Sequence, residues 1–168
     1  GTVSNYQGGQ FLDGRRPNLV EQAKEPFLNP LEMNNANEAD VVAKVQNAAY
    51  ANEFLQVFGA NAFDDTATAY NNIATAIAAF EASAEMNPFT SKFDAVLAGN
   101  ATFTASEQRG LNIFNNAAKC ANCHTTDPDP ASGKVLFTDF NYFNVGTPVN
   151  TNNPAYVADN AFRDGGLG

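Results

Sequence analysis

The chain has 168 residues, 44% of them hydrophobic and 16% charged, which suits one folded domain or slightly more and excludes a disordered polypeptide. Eighteen acidic against nine basic residues leave a net charge of −9, which excludes a phosphate-binding face for nucleic acid and suits a basic or dipolar partner steered by an acidic surface. No run reaches the length of a membrane span, because the most apolar stretch, 67–84, is interrupted by Asn71, Asn72 and Glu81.

Residues 1–10 carry no periodicity and are expected as loop or extended chain. Asn18 with Glu21 predicts a capping box for a short helix over 19–24. Pro26 and Pro30 are expected to stop that helix and leave 27–33 as ordered loop. Asn37 is a suitable N-cap, with Glu38 and Asp40 in the first turn where the helix dipole favours anions. The helix it opens is predicted to run to about Phe58 along Val41, Val45, Ala48 and Leu55, and to end at Gly59. Asp64 or Asp65 caps the next helix, on which Tyr70, Ile73, Ile77, Phe80 and Ala84 repeat at core spacing. Asn87-Pro88 marks a break, and 91–97 reads as a short helix ending at Gly99. Thr104 and Glu107 form a second capping box, opening a helix through Leu111 and Phe114 toward Lys119. Gly110 costs that helix stability, and signals either a close crossing with another helix or the haem edge, or a tolerated surface position.

That helix delivers the chain to Cys120-Ala121-Asn122-Cys123-His124, which holds every cysteine and the only histidine of the sequence. The spacing is that of c-type haem attachment: two thiols one helical turn apart add across the vinyl groups, and the next residue offers an imidazole to the iron. A dithiol redox pair is the bland alternative, but it expects a βαβ setting and these flanks are helical. A zinc site needs about four ligands, and three Cys and His residues do not supply them without carboxylates. Covalent haem is attached outside the cytoplasm, so a leader removed from or lying upstream of residue 1 is expected, and no disulfide remains. The opposite face of the iron lacks a second histidine. Met33 and Met86 are weak candidates for the sixth ligand, beside a ligand outside residues 1–168 or a water-bound site.

Beyond His124 the pattern changes. Asp127-Pro128-Asp129-Pro130 and Ser132-Gly133 form a turn-rich loop, and 135–140 reads as a short extended segment. The tail has aromatic anchors at Phe137, Phe140, Tyr142, Phe143, Tyr156 and Phe162 but no closing helix. The predicted architecture is all-α, a cytochrome c-like helical haem domain with long irregular loops.

The motifs resemble those of the bacterial dihaem cytochrome c peroxidase family, which includes the MauG-type enzymes. Phe11-Leu12-Asp13-Gly14-Arg15, Glu21-Gln22, Pro26 and Asn29-Pro30-Leu31-Glu32-Met33 look like the segment between that family's two haem domains. Ser106-Glu107-Gln108-Arg109-Gly110-Leu111 through Phe114 is similar to the run into its second haem. Phe137-Thr138-Asp139-Phe140, Phe143-Asn144-Val145-Gly146 and Asp164-Gly165-Gly166-Leu167-Gly168 are similar to stretches beyond that haem motif. The resemblance implies a middle portion of such a protein. Residues 1–36 would be a connecting segment of the peroxidatic domain. Residues 37–168 would be the haem domain where electrons enter, incomplete at its C-terminal end.

It also implies one covalent haem c here and a second on an upstream domain. Hydrogen peroxide would be reduced to water with electrons from a small cytochrome c or cupredoxin, in the periplasm, and a homodimer fits the pattern. Gln22 and Glu32 match the glutamine and glutamate lining the family's peroxide pocket, where a carboxyl group shuttles the proton needed for O–O cleavage. Leu12 replaces a tryptophan common in the family, which weakens MauG-type long-range oxidation of a protein substrate. A stand-alone monohaem electron carrier is the other alternative.

Overall fold

Helices account for nearly all regular structure in the computed structural model, which describes residues 7–143, 148 and 150–152. Among the described residues the β-pairings are three isolated bridges, Gln7 with Asn141, Gln10 with Arg16, and Pro128 with Val135. The all-α reading therefore holds. The expectations on residues 1–6, on Asn144-Val145-Gly146, on Tyr156 and Phe162, and on 164–168 lie outside the described residues.

Two compact units emerge, one built on Gly9–Asn87 and the other on residues 7–8 and 88–143. The division falls at the Asn87-Pro88 break. The physical reason is that the first helix packs on the fourth, so that residues 19–28 share a core with 66–81.

In the first unit the helices are α1 (Leu19–Leu28), α2 (Glu38–Gln46), α3 (Ala51–Phe58) and α4 (Thr66–Glu81). Asn18, Asn37 and Asp65 each cap a helix by accepting from the backbone N–H three residues on, at 3.0, 3.0 and 2.8 Å. Val41, Val42, Phe54, Ala62, Ala69, Tyr70 and Ile73 form the core, with Phe27, Val45 and Ile77 packed against it. Ala69 and Ala74 are wholly buried, which lets α1 and α2 lie close on α4.

Four expectations are corrected here. Pro26 lies inside α1 rather than ending it, because the helix runs two residues further and stops at Asn29. Glu21 does not close a capping box; its carboxylate takes Lys24 at 2.7 Å. The helix expected to run to Phe58 is broken into α2 and α3, because Asn47 turns its side-chain amide back to the Ala43 carbonyl at 2.7 Å. The core stripe on α4 stops short of Phe80, which is half exposed at the helix end.

In the second unit α5 (Lys92–Leu97) and α6 (Ala105–Asn112) each begin on a complete capping box, Ser91 with Asp94 and Thr104 with Glu107. Lys92 reaches across to Glu107 at 2.6 Å. Beside Gly110 a side chain would meet no atom of another element within 4 Å, so no second helix crosses closely there among the described residues. Among the described residues of this unit only Val135 is buried.

Candidate functional site

The site is built where α6 ends. Its start is fixed by Glu107, whose carboxyl is pushed down to about 2, first by the hydrogen bond from Lys92 and then by those from the Thr104 backbone and hydroxyl. The helix does not continue regularly to Lys119 as expected. It widens into a π-helical turn over Ile113–Ala117, with the Ala118 N–H donating to the Ile113 carbonyl at 2.9 Å. Lys119 then takes a left-handed conformation, φ +57°, which turns the chain into a 3₁₀ turn over Cys120–Asn122.

That turn gathers the motif. The Cys123 and His124 N–H groups both donate to the Cys120 carbonyl, at 3.2 and 2.9 Å, so two thiols and one imidazole leave a single turn of chain. Both cysteines are unbridged and half-buried, and His124 is exposed. The His124 Nδ1 lies 2.9 Å from the Phe137 carbonyl oxygen. A carbonyl only accepts, so the proton sits on Nδ1 and the Nε2 lone pair is left free for a metal. The Asp139 N–H donates to the Cys123 carbonyl at 3.1 Å, tying the same strap to the motif a second time. Asp139 is itself held below the usual carboxylate range by the backbone N–H of Asn141.

The expected extended segment at 135–140 is a kinked strap instead, because Phe137 and Phe140 both have positive φ, +54° and +58°. Rings converge on Phe137: Phe93 edge-on at 4.9 Å and Phe114 edge-on at 6.1 Å.

These residues fit a haem. Cys120 and Cys123 would hold the vinyl groups and His124 Nε2 the iron, and a unit with so little core of its own gains stability from a flat apolar group. When bound, haem c supplies one-electron exchange at its iron. Among the described residues no three His, Cys, Asp or Glu side chains gather as a metal cluster.

The remaining predicted residues lie in the other unit. Gln22 is half-buried on α1, and Glu32 is exposed on the loop after it. That loop is firmly bonded: Glu32 and Asn34 N–H donate to the Asn29 carbonyl at 3.0 and 2.9 Å, and Met33 N–H to Pro26 at 3.1 Å. At the head of α1, Arg15 and Arg16 both pair with Glu25; burial opposes ionisation there, but the two guanidinium hydrogen bonds hold its carboxyl below the usual range. Met33 and Met86 are both more than half exposed and belong to the Gly9–Asn87 unit, unlike His124. Leu12 is 99% exposed.

Sequence reasoning missed the Phe137 carbonyl and the left-handed Lys119. A backbone carbonyl leaves no signal in residue identity, and a lysine is not the residue that advertises positive φ.

Comparison with known proteins gives concordant findings. A family model described as di-haem cytochrome c peroxidase matches residues 2–102, ending ahead of Cys120. The chain is 40% identical over 146 residues to the methylamine utilization protein MauG of Paracoccus denitrificans, covering 86% of this chain and 38% of that protein. It is 35% identical over 153 residues to a cytochrome c551 peroxidase of Nitrosomonas europaea, covering 90% of this chain and 42% of the relative. In three dimensions it is similar to the diheme peroxidase BthA of Burkholderia thailandensis, with a TM-score of 0.80 and 35% identity over 96% of this chain and 40% of that one. The chain thus spans about two fifths of the length of these relatives.

Proposed function

The chain belongs to the di-haem cytochrome c peroxidase family, and on that premise we propose that it is part of a periplasmic haem c enzyme that reduces hydrogen peroxide to water. Cys120, Cys123 and His124 would hold a haem, which would supply one-electron exchange with a small cytochrome c or cupredoxin. A second haem is carried by a further part of the protein, and Gln22 and Glu32 face its peroxide. The acidic surface favours a donor with a basic or dipolar face.

The observation that carries this reading is the His124 imidazole beside two free thiols on one turn, with Nδ1 engaged by Phe137 and Nε2 free. The roles of the chain's own residues come from their chemistry. The Phe137 carbonyl keeps His124 in one tautomer. The Glu32 carboxylate takes a proton from the near oxygen of peroxide and returns it to the far oxygen as water leaves, and the Gln22 amide orients the substrate. The overall balance is one peroxide, two protons and two donated electrons giving two waters.

Oxidation of a protein substrate is a second reading, supported by the 40% identity to MauG and weakened by leucine at position 12. A monohaem carrier is the third.

The test is a pyridine haemochrome assay with intact mass on the full-length product, followed by peroxide turnover. Two covalent haems and turnover with a small cytochrome are expected; one haem and no turnover would leave the carrier reading standing. Glu32→Gln is expected to lower turnover about 10²-fold or more, as for loss of a positioned acid–base group, with haem content unchanged.

A further inference from the structure

The strap that meets His124 is unusual in its backbone. Phe137 has φ +54°, a region that a bulky side chain occupies only when its surroundings over-determine it. The strap has two ties to the haem motif, from His124 Nδ1 to the Phe137 carbonyl at 2.9 Å and from the Asp139 N–H to the Cys123 carbonyl at 3.1 Å. Neither tie holds the Phe137 side chain. Two rings do so: Phe93 from α5, at 4.9 Å and 63°, and Phe114 from the π-helical turn, at 6.1 Å and 84°. All three phenylalanines are half-buried in a unit with almost no other core, so these edge-on contacts are a large share of what fixes the strap.

We propose that Phe93 and Phe114 clamp the Phe137 ring, hold its backbone in the left-handed conformation, and so keep its carbonyl on His124 as positioning residues for the iron ligand. The inference rests on the reading of His124 as haem ligand. The irregular end of α6 then has a use, because Phe114 belongs to the widened turn itself. The consequence is electronic. A carbonyl accepting from Nδ1–H makes the imidazole more basic and stabilises ferric over ferrous iron. Loosening the clamp weakens that bond and moves the equilibrium toward ferrous.

The experiment is spectroelectrochemical titration of the Cys120/Cys123 haem in the haem-loaded, full-length protein. Phe93→Ala is expected to shift the ferric/ferrous equilibrium about tenfold toward ferrous, a rise of about 59 mV for one electron. Phe93→Leu, which keeps apolar bulk without the edge-on ring, is expected to give a smaller shift of the same sign and serves if Phe93→Ala loses its fold. Phe103→Ala, whose ring packs on Phe93 at 6.1 Å, leaves the equilibrium within about twofold, since losing one aromatic pair that does not meet the strap leaves the carbonyl in place. The decisive comparison adds Phe93→Ala to Phe137→Gly. Glycine adopts positive φ unaided, so the clamp has nothing left to hold and Phe93→Ala should add no shift. Equal shifts in both backgrounds, or no shift from Phe93→Ala with haem still attached, would overturn the clamp while leaving the haem reading intact. A wild-type protein without covalent haem would overturn that reading, and the clamp's role with it.

Discussion

Tyr70→Phe is the perturbation that tests most directly how α1, and with it Gln22, is seated. The Tyr70 ring is buried, at 4% exposure, and packs edge-on against Phe27 at 5.8 Å. Its hydroxyl donates to the Lys24 carbonyl at 2.7 Å, joining α4 to α1 across 46 positions of sequence. Removing only the hydroxyl keeps the ring packing, and Lys24 sits inside α1, where its carbonyl retains a helical partner. The cost is therefore that of one net hydrogen bond, about 1 kcal/mol, well below the roughly 3–5 kcal/mol of truncating the whole ring to alanine.

The hydroxyl also carries a pH signature. Burial first, and the charge of Glu38 second, raise its pKa above the ordinary value of 10.0. A folded-state pKa above the unfolded one means stability that is complete below the unfolded value and lost as pH climbs through the folded value. Wild type should lose stability in that alkaline window, and Tyr70→Phe should not lose this contribution, so the gap between them closes as pH rises. Urea unfolding followed by far-UV circular dichroism suits a chain without tryptophan. Equal stability at neutral pH, or the same alkaline decline in both proteins, would refute the role assigned to this bond.

Phe54→Ala removes a buried ring packed against Phe58 at 4.7 Å and Phe63 at 4.8 Å, and should cost about 3–5 kcal/mol in urea unfolding. A cost near that of a surface change would show that α3 is not part of the core. Glu107→Gln should weaken the α6 cap, with the sign set by a carboxyl lowered to about 2: its contribution is present above the unfolded value of 4.5 and lost as pH falls toward 2. Thermal melts of the two proteins should therefore differ near pH 5 and converge near pH 2; a gap independent of pH would contradict the assignment. At Lys119, φ +57°, valine should destabilise by about 1–2 kcal/mol while glycine is tolerated, read as unfolding midpoints. Valine and glycine behaving alike would show that the left-handed turn is not required.

The sequence alone carried most of the helix starts. Local rules suffice where the partners are near in sequence, so Asn37, Asp65, Ser91 and Thr104 announced helix starts that the structure confirms. The family was also legible, because its motifs are short and ordered along the chain. Where competing local bonds decide, sequence reasoning failed: Asn47 splits one expected helix by bonding back to Ala43, and Pro26 is carried inside α1. What only the tertiary structure decided is long-range. It set the division at Asn87-Pro88 by packing α1 on α4, and it brought the Phe137 carbonyl, 13 residues on, to His124. Composition and periodicity encode which side chains avoid water, but a backbone carbonyl is the same at every position. Its role is assigned only when the folded chain gives it a partner.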